Sequence, residues 1–197
     1  MLRRQLPAAI AAVIALTILT GIAYPLAITG VAQVLFPSAA DGSLIERGGE
    51  VLGSELIGRE FEGPGDFHPR PSAAGEGYDG ADSSGSNLAP SNPELLEQVA
   101  ERVADYRAEN GLGPNVRVPV DAVTASASGL DPDISVRNAR LQAPRVAEAR
   151  GLELDTVEEL IDRNTTGRAL GILGEPTVNV QLLNLALHAA PRAYPQR

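Results

Sequence analysis

The sequence lacks cysteine and lysine and has only two histidines, and each shortage excludes a class of chemistry. Without cysteine there are no disulfides, thiol nucleophiles or thiolate metal sites. Without lysine there is no P-loop lysine, no Schiff-base lysine and no serine–lysine dyad. His68 and His188 alone do not suffice for a metal site built from several histidines. Many routes to catalysis or metal binding are therefore closed to this chain.

Negative charge dominates: 25 Asp and Glu stand against 16 basic residues, all arginine, which gives a net charge of −9. Without Arg3 and Arg4, which precede a long apolar segment, 14 arginines face the 25 acids and the net charge is −11. An acidic chain is a poor binder of nucleic acid and of anionic lipid surfaces. We therefore expect no nucleic-acid partner.

Residues 5–40 carry no charge, and residues 6–36 are almost wholly apolar. About 20 apolar residues in a helix span the roughly 30 Å hydrocarbon core of a bilayer. The pattern predicts one transmembrane helix over residues 6–36, with about 20–25 of them inside the bilayer. Pro25 is the predicted position of a kink, because proline removes a backbone donor. Tyr24 is predicted to lie at a membrane interface or to face a partner.

Two other interpretations of this segment are weaker. A buried core helix would not be apolar on all sides for so long. A cleaved signal peptide would use Arg3 and Arg4 as its basic start, but its apolar region should be only about 7–15 residues long. The same two arginines, against Asp41 on the far side, predict cytoplasmic residues 1–5 and a soluble domain outside the cell.

Residues 41–197 are predicted to form a single compact α+β domain. A glycine pair at 48–49 predicts a small hairpin, and residues 62–93, rich in Gly, Ser and Pro, predict a long loop. A helix is predicted after Asn92, which caps it, with Pro93 in the first turn. The alternation of valines over residues 116–120 predicts a strand.

The remainder is predicted to be mostly helical. Pro144 is expected to separate a helix over residues 135–142 from another over 144–150. Asp155 and Glu158 predict a capping box for a helix through Asp162. A final helix is predicted over residues 179–190, capped by Asn179.

Motifs for catalysis are weak. Residues 75–80 match GxGxxG, but neither a strand before them nor a helix after them is predicted, so a dinucleotide site is rejected. His68 is a general base in principle, but no nucleophile is marked for it. Asp131 and Asp133 carry oxygen ligands, although a turn around Pro132 explains them better. The residues alone therefore predict no catalytic site, no metal site and a membrane-anchored accessory domain.

Several sequence blocks carry a family resemblance. They are, in chain order, Tyr24-Pro25 in the apolar helix, FHPRPSAA from Phe67, Tyr78-Asp79, SSGSNLAPSNP from Ser83, PVDAVTASASGLDPDIS from Pro119, RVAEARG from Arg145 and LGEPTVNVQLLNLAL from Leu173. Together they resemble the C subunit of Kdp-type potassium-transporting P-type ATPases, the KdpC family. Ala127 and Asp133 depart from the family pattern, which has Gly and His there.

The resemblance implies one transmembrane helix plus a compact α+β domain in a bacterial plasma membrane. It implies three partners: a channel-like potassium-binding subunit, a P-type ATPase subunit and a small single-helix subunit. Potassium would be carried by the partner subunits. The family is described as a catalytic chaperone that raises the ATP affinity of the ATPase subunit in a ternary complex. This chain has no nucleotide motif, so we expect ATP contact only through that complex.

From this resemblance we expect a non-catalytic subunit that assembles with and stabilises a high-affinity potassium uptake complex. The alternative is a membrane-anchored extracytoplasmic hydrolase or ligand-binding protein. Six loop residues are predicted to contact partners, although such side chains also brace loops. They are His68, Arg70, Ser84, Ser86, Asn87 and Asp131.

Overall fold

The structure is a computed structural model that describes residues 2–190. The chain divides into two compact units, Met1–Ser54 and Glu55–Arg197. The first holds one long apolar helix, and the second has α+β architecture. The predicted fold class, an N-terminal apolar helix followed by an α+β domain, is confirmed.

The first unit is mostly helical. Its elements are, in order, α1 (Leu2–Ile18), a π-helical turn (Leu19–Ala23), α2 (Tyr24–Leu35), α3 (Pro37–Ala40), β1 (Leu44–Arg47) and β2 (Glu50–Ser54). The stretch Arg4–Leu35 is the one helix in the described residues that is long and apolar enough to cross a membrane. Its large apolar side chains are exposed, as on a helix that faces lipid.

The helix widens immediately before Pro25. Because Pro25 has no N–H, it cannot donate to the carbonyl one turn earlier. The chain responds with a π-helical turn, in which the Tyr24 N–H donates to the Leu19 carbonyl five residues back. The irregularity therefore lies beside Pro25, where the sequence predicted one.

The predicted hairpin is confirmed. β1 and β2 pair antiparallel, with Arg47 opposite Glu50 and a register shift after Ile45. Gly48 and Gly49 form the turn with φ of 64° and 85°, values that favour glycine.

The second unit packs helices against a small antiparallel sheet. Its elements are α4 (Pro93–Glu109), a 3₁₀ turn (Val120–Ala122), β3 (Asp133–Ser135), α5 (Val136–Arg150), α6 (Leu154–Arg163), β4 (Thr165–Thr166), β5 (Thr177–Asn179) and α7 (Val180–Ala189). The strand order is β3-β5-β4. Residues of β3, of the central strand β5, of three helices and of the loop around Phe67 share one buried core. Its largest members include Phe67, Ile134, Val146, Val157, Ile161, Val178 and Leu183.

Helix starts follow the sequence in two cases and differ in a third. The Asn92 side chain accepts from the Glu94 N–H at 2.9 Å, and Asn179 accepts from the Leu182 N–H at 3.0 Å. The predicted capping box at Asp155 is wrong, because α6 begins at Leu154 after Glu153, which makes no side-chain cap bond. The buried spacing of Val157 and Ile161 fixes this helix without such a cap.

Two other element predictions are wrong. Residues 116–119 form no strand, because their carbonyls accept from side chains instead: Val116 from Arg107 at 2.9 Å and Arg117 from Arg137 at 2.7 Å. Pro144 does not separate two helices, since α5 is continuous from Val136 to Arg150. Pro144 is exposed while Ala143 and Val146 are buried, so packing holds the helix and water can solvate the carbonyl left free.

Candidate functional site

Most of the sequence blocks that carry the resemblance lie in two loops of the second unit. The first, named the long loop, covers residues 59–92, and the second, named the short loop, covers residues 123–132. Neither contains a helix or strand, so side-chain and backbone bonds must hold them.

Two buried amides anchor the long loop. Asn184 of α7 accepts from the Phe67 N–H at 2.8 Å and donates to the Phe67 carbonyl at 2.9 Å. Gln142 of α5 does the same to the next residue, accepting from the His68 N–H at 2.7 Å and donating to its carbonyl at 3.0 Å. Each amide thus acts as a neighbouring strand would, and it satisfies backbone groups that are shielded from water.

Gln142 belongs to a buried polar network. Its second N–H donates to Asn138 at 2.9 Å, and Asn138 also accepts from the Tyr106 hydroxyl at 2.8 Å. The Asn138 amide donates to Asp121 at 3.0 Å, and Arg145 donates to the Gln142 oxygen at 3.0 Å. Burial, and secondarily the charge of Asp121, raise the pKa of Tyr106. The hydroxyl therefore stays neutral and keeps its donor role at physiological pH.

Arg70 joins the two loops. It forms an ion pair with Asp131 at 2.9 Å and donates to the Ala125 carbonyl at 3.3 Å. The Tyr78 hydroxyl donates to the Arg70 carbonyl, and burial is the main cause that raises the pKa of Tyr78. Asp131 also accepts from the Asp133 N–H at 3.1 Å, which forms the turn around Pro132. Arg70 and Asp131, each predicted as a partner contact, thus pair with each other and brace the two loops.

The loops also cross closely at Gly129. Ser72 donates to the Gly129 carbonyl at 2.7 Å. A Cβ at Gly129 would lie 2.6 Å from the Ser84 carbonyl and 2.7 Å from the Ala74 nitrogen, so only glycine fits. This crossing places the half-buried Ser84 against the short loop.

The other predicted residues differ in exposure. His68 is half-buried, with Nδ1 2.9 Å from Glu109 and Nε2 3.1 Å from the Gly63 carbonyl. Ser86 and Asn87 are exposed, and Asn87 has φ of 52°, which asparagine tolerates. Within the predicted set, these two present their side chains most freely to a partner.

A cleft of about 500 Å³ opens beside the anchored loop. Its lining mixes charge and aromatic surface, and includes Glu60, Phe61, His68, Arg70, Tyr78 and Glu109. Asp133 does not line the cleft, and its carboxylate accepts from the Thr177 hydroxyl at 2.8 Å. Within residues 2–190 no three His, Asp or Glu side chains converge to hold a metal ion.

The residues that anchor the long loop were not predicted from the sequence. Asn138 and Gln142 lie four residues apart on α5, hence on one helix face, and both are buried. Asn184 interrupts the apolar run of α7 in the same way. An asparagine or glutamine within the apolar stripe of a helix indicates that a buried polar group needs a partner. That pattern was the one sequence signal for a loop packed against these helices.

Replacing Gln142 with leucine should destabilise the second unit strongly. The change keeps the volume but removes the partner of both the His68 N–H and the His68 carbonyl. We expect the free energy of unfolding of the full chain in detergent to fall by about 3 kcal/mol or more. Gln98→Leu, at a half-buried position on α4 whose amide donates to the exposed Glu94, should change it by less than about 0.5 kcal/mol. Equal losses in the two variants would contradict the anchoring role.

Alkaline pH should destabilise the chain through Tyr78 and Tyr106. Burial raises the pKa of both hydroxyls, so they stay protonated in the folded state. A tyrosine in the unfolded chain ionises at about pH 10. Stability is therefore fully present below that pH and falls as pH rises above it. In Tyr106→Phe the loss should be roughly half as steep, as measured by denaturant unfolding between about pH 8 and 11. An unchanged slope would argue against a buried neutral Tyr106.

Known proteins match this chain over both its apolar helix and its α+β unit. The family model described as KdpC: K+-transporting ATPase, c chain, matches residues 6–189. A potassium-transporting ATPase KdpC subunit of Mycobacterium tuberculosis is 58% identical over 186 residues, covering 94% of this chain and 98% of that protein. The protein of the same name from Rhodospirillum rubrum is 56% identical over 184 residues, covering 93% and 95%. The chain therefore belongs to the KdpC family of potassium-transporting ATPase subunits.

Proposed function

We propose that this chain is a non-catalytic subunit that assembles with the other subunits of the complex and stabilises them. The observation that carries this is the extent of the match, which runs through both the apolar helix and the α+β unit. In the proposal the helix packs among membrane helices while the soluble unit contacts extramembrane surfaces. The partners are a channel-like potassium-binding subunit, a P-type ATPase subunit and a small single-helix subunit.

The proposed topology puts the N-terminus in the cytoplasm and the soluble unit outside. Arg3 and Arg4 precede the uncharged segment of residues 5–40, whereas the first charges after that segment are Asp41 and Glu46. This asymmetry is the one that orients membrane helices. In this orientation the acidic unit would raise the local potassium concentration near the complex, within a screening length of about 8–10 Å.

The proposal assigns ATP binding to the partner rather than to this chain. A soluble unit outside the cell meets no cytoplasmic ATP, and the chain has no lysine to hold a phosphate. An effect on the ATP affinity of the ATPase subunit would then be relayed through the membrane helix. In this proposal, the change in ATP affinity is an indirect consequence of assembly.

Co-purification tests the proposed role. A tagged full chain, expressed with the other subunits, should bring down the ATPase subunit in a stable complex, and its deletion should abolish that assembly. Ser86→Ala with Asn87→Gly removes two exposed side chains while glycine keeps the positive φ of position 87. This double variant should lower complex yield and potassium uptake without loss of folding. A wild-type chain that purifies alone would contradict the proposed function, and full assembly by the double variant would contradict the contact at these two positions.

Sidedness can be measured with a single cysteine, since the natural chain has none. Ser86→Cys should react with a membrane-impermeant maleimide in intact cells, because the proposed topology places the long loop outside. Gln5→Cys, at the opposite end of the helix, serves as the matched control and should react only after permeabilisation. The reverse pattern would invert the topology.

A further inference from the structure

A short hairpin projects from the sheet with an apolar tip. Residues 167–175, named the apolar finger, lie in the connection between the antiparallel strands β4 and β5. Its tip covers residues 169–173, and Ala169 and Leu173 exchange two backbone hydrogen bonds of 2.9 Å there. Arg168 and Glu175 form an ion pair of 2.9 Å across its base. The finger is therefore an ordered extension of the sheet.

The tip exposes large apolar side chains that the fold itself does not bury. Leu170, Ile172 and Leu173 are 89%, 76% and 58% exposed, and Leu170 is the most exposed large apolar residue in residues 4–190. Single exposed leucines are ordinary, but here three large apolar side chains within four positions are exposed together. Along Arg4–Leu35 such exposure is explained by a helix that is long and apolar enough to meet lipid. No comparable explanation lies within the finger.

The backbone at Leu170 has a conformation that is unfavourable for leucine. Leu170 has φ of 54°, a left-handed conformation that glycine or asparagine would adopt at lower cost. Gly171, the next residue, has φ of 78° and meets the same demand with the expected residue type. A bulky leucine here is unfavourable both for the backbone and for solvation. The apolar side chain of Leu170 is not buried by the fold, so burial within this chain does not offset the strain. Strain of this kind points to a function that involves another molecule.

The base of the finger fixes its direction. β5 is the central strand of the sheet, and Val178 within it is fully buried in the core. The Arg168–Glu175 pair continues the register in which Thr166 lies opposite Thr177. A tip held this way loses little further conformational freedom when it binds, which favours docking.

We propose that the apolar finger inserts Leu170 and Ile172 into an apolar pocket on another protein subunit of the transport complex. This inference rests on the proposed assembly function and names the surface through which one contact is made. The ion pair at the base is neutral overall, so it can border such a pocket without leaving an unpaired charge. The expected receptor is a preformed apolar pocket outside the hydrocarbon core.

Charge disfavours a lipid surface as the occupant. Residues 55–197 contain 13 arginines against 22 acids, a net charge of −9, and an anionic bilayer repels such a unit. The finger has neither the aromatic residues nor the cluster of basic residues typical of interfacial insertion. The cleft of about 500 Å³ on a second copy of this chain is also a poor receptor, because Glu60, Glu62, Glu76 and Glu109 line it.

Leu170→Asn separates binding from folding. Asparagine adopts the left-handed conformation readily, so the melting temperature of the full chain should be unchanged or higher. Loss of the apolar anchor should weaken co-purification of the ATPase complex by about tenfold. Leu96→Asn makes the same chemical change at an exposed position on α4 and should leave complex yield unchanged. Full assembly by Leu170→Asn, or an equal loss in Leu96→Asn, would overturn the proposal.

Cross-linking then tests whether the finger contacts a partner subunit. A Leu170→Cys chain carrying a benzophenone maleimide should yield an adduct with a partner subunit in the purified complex. In the same complex, the unmodified thiol of the Leu170→Cys chain should react with an aqueous maleimide about tenfold more slowly than in the chain alone. Adducts only with phospholipid or with a second copy, or equal reactivity in both states, would overturn the finger contact while leaving assembly intact. If the wild-type chain fails to co-purify, the proposed function fails, and the finger contact fails with it.

Discussion

The position of the long loop depends on two amide side chains that stand in for a strand. The loop has few aliphatic residues, yet Phe67 is fully buried, so its backbone must pass beneath the surface. Backbone groups in that place require partners, and no strand within residues 2–190 pairs with Phe67 or His68. Asn184 and Gln142 provide one donor and one acceptor each to these successive residues. The loop is thereby attached to α5 and α7 at the centre of the unit.

Arginine extends this attachment toward the surface. Loop carbonyls accept repeatedly from guanidinium groups, for example Ala125 from Arg70, Val123 from Arg102 and Pro64 from Arg145. The planar fork of arginine carries several donors and can bond to a carbonyl and a carboxylate together, which an ammonium does less well. A chain without lysine can therefore organise long irregular segments with its basic residues. These arginines are structural connectors as well as surface charges.

Local sequence signals predicted much of the fold. The glycine pair at 48–49, the Asn92 and Asn179 caps and the apolar helix each depend on residues close in sequence, and all appear in the structure. Long-range contacts could not be read in this way. The valines at 116 and 118 alternate like a strand, yet arginines from α4 and α5 take the carbonyls of residues 116 and 117. Pro144 falls on the exposed face of α5, and no local rule reveals that face.

The candidate site shows the same division. The loop residues were identified by resemblance as candidate partner contacts, but the ion pair that Arg70 forms with Asp131 was not predicted. Their supports, Asn138, Gln142 and Asn184, lie on helices far away in sequence, so the pairing with residues 67 and 68 appears only in three dimensions. The apolar finger was also beyond sequence reasoning. Leu170 and Ile172 look like core residues until the hairpin that exposes them is known.

The π-helical turn before Pro25 has a consequence for side-chain direction. One extra residue in a helical turn rotates everything that follows by about 100° around the axis. Side chains that share one face of α1 therefore do not continue along that face in α2. A straight neighbouring helix can follow a single stripe on only one of the two segments. The helix thus offers two differently directed faces, one in each half of its length.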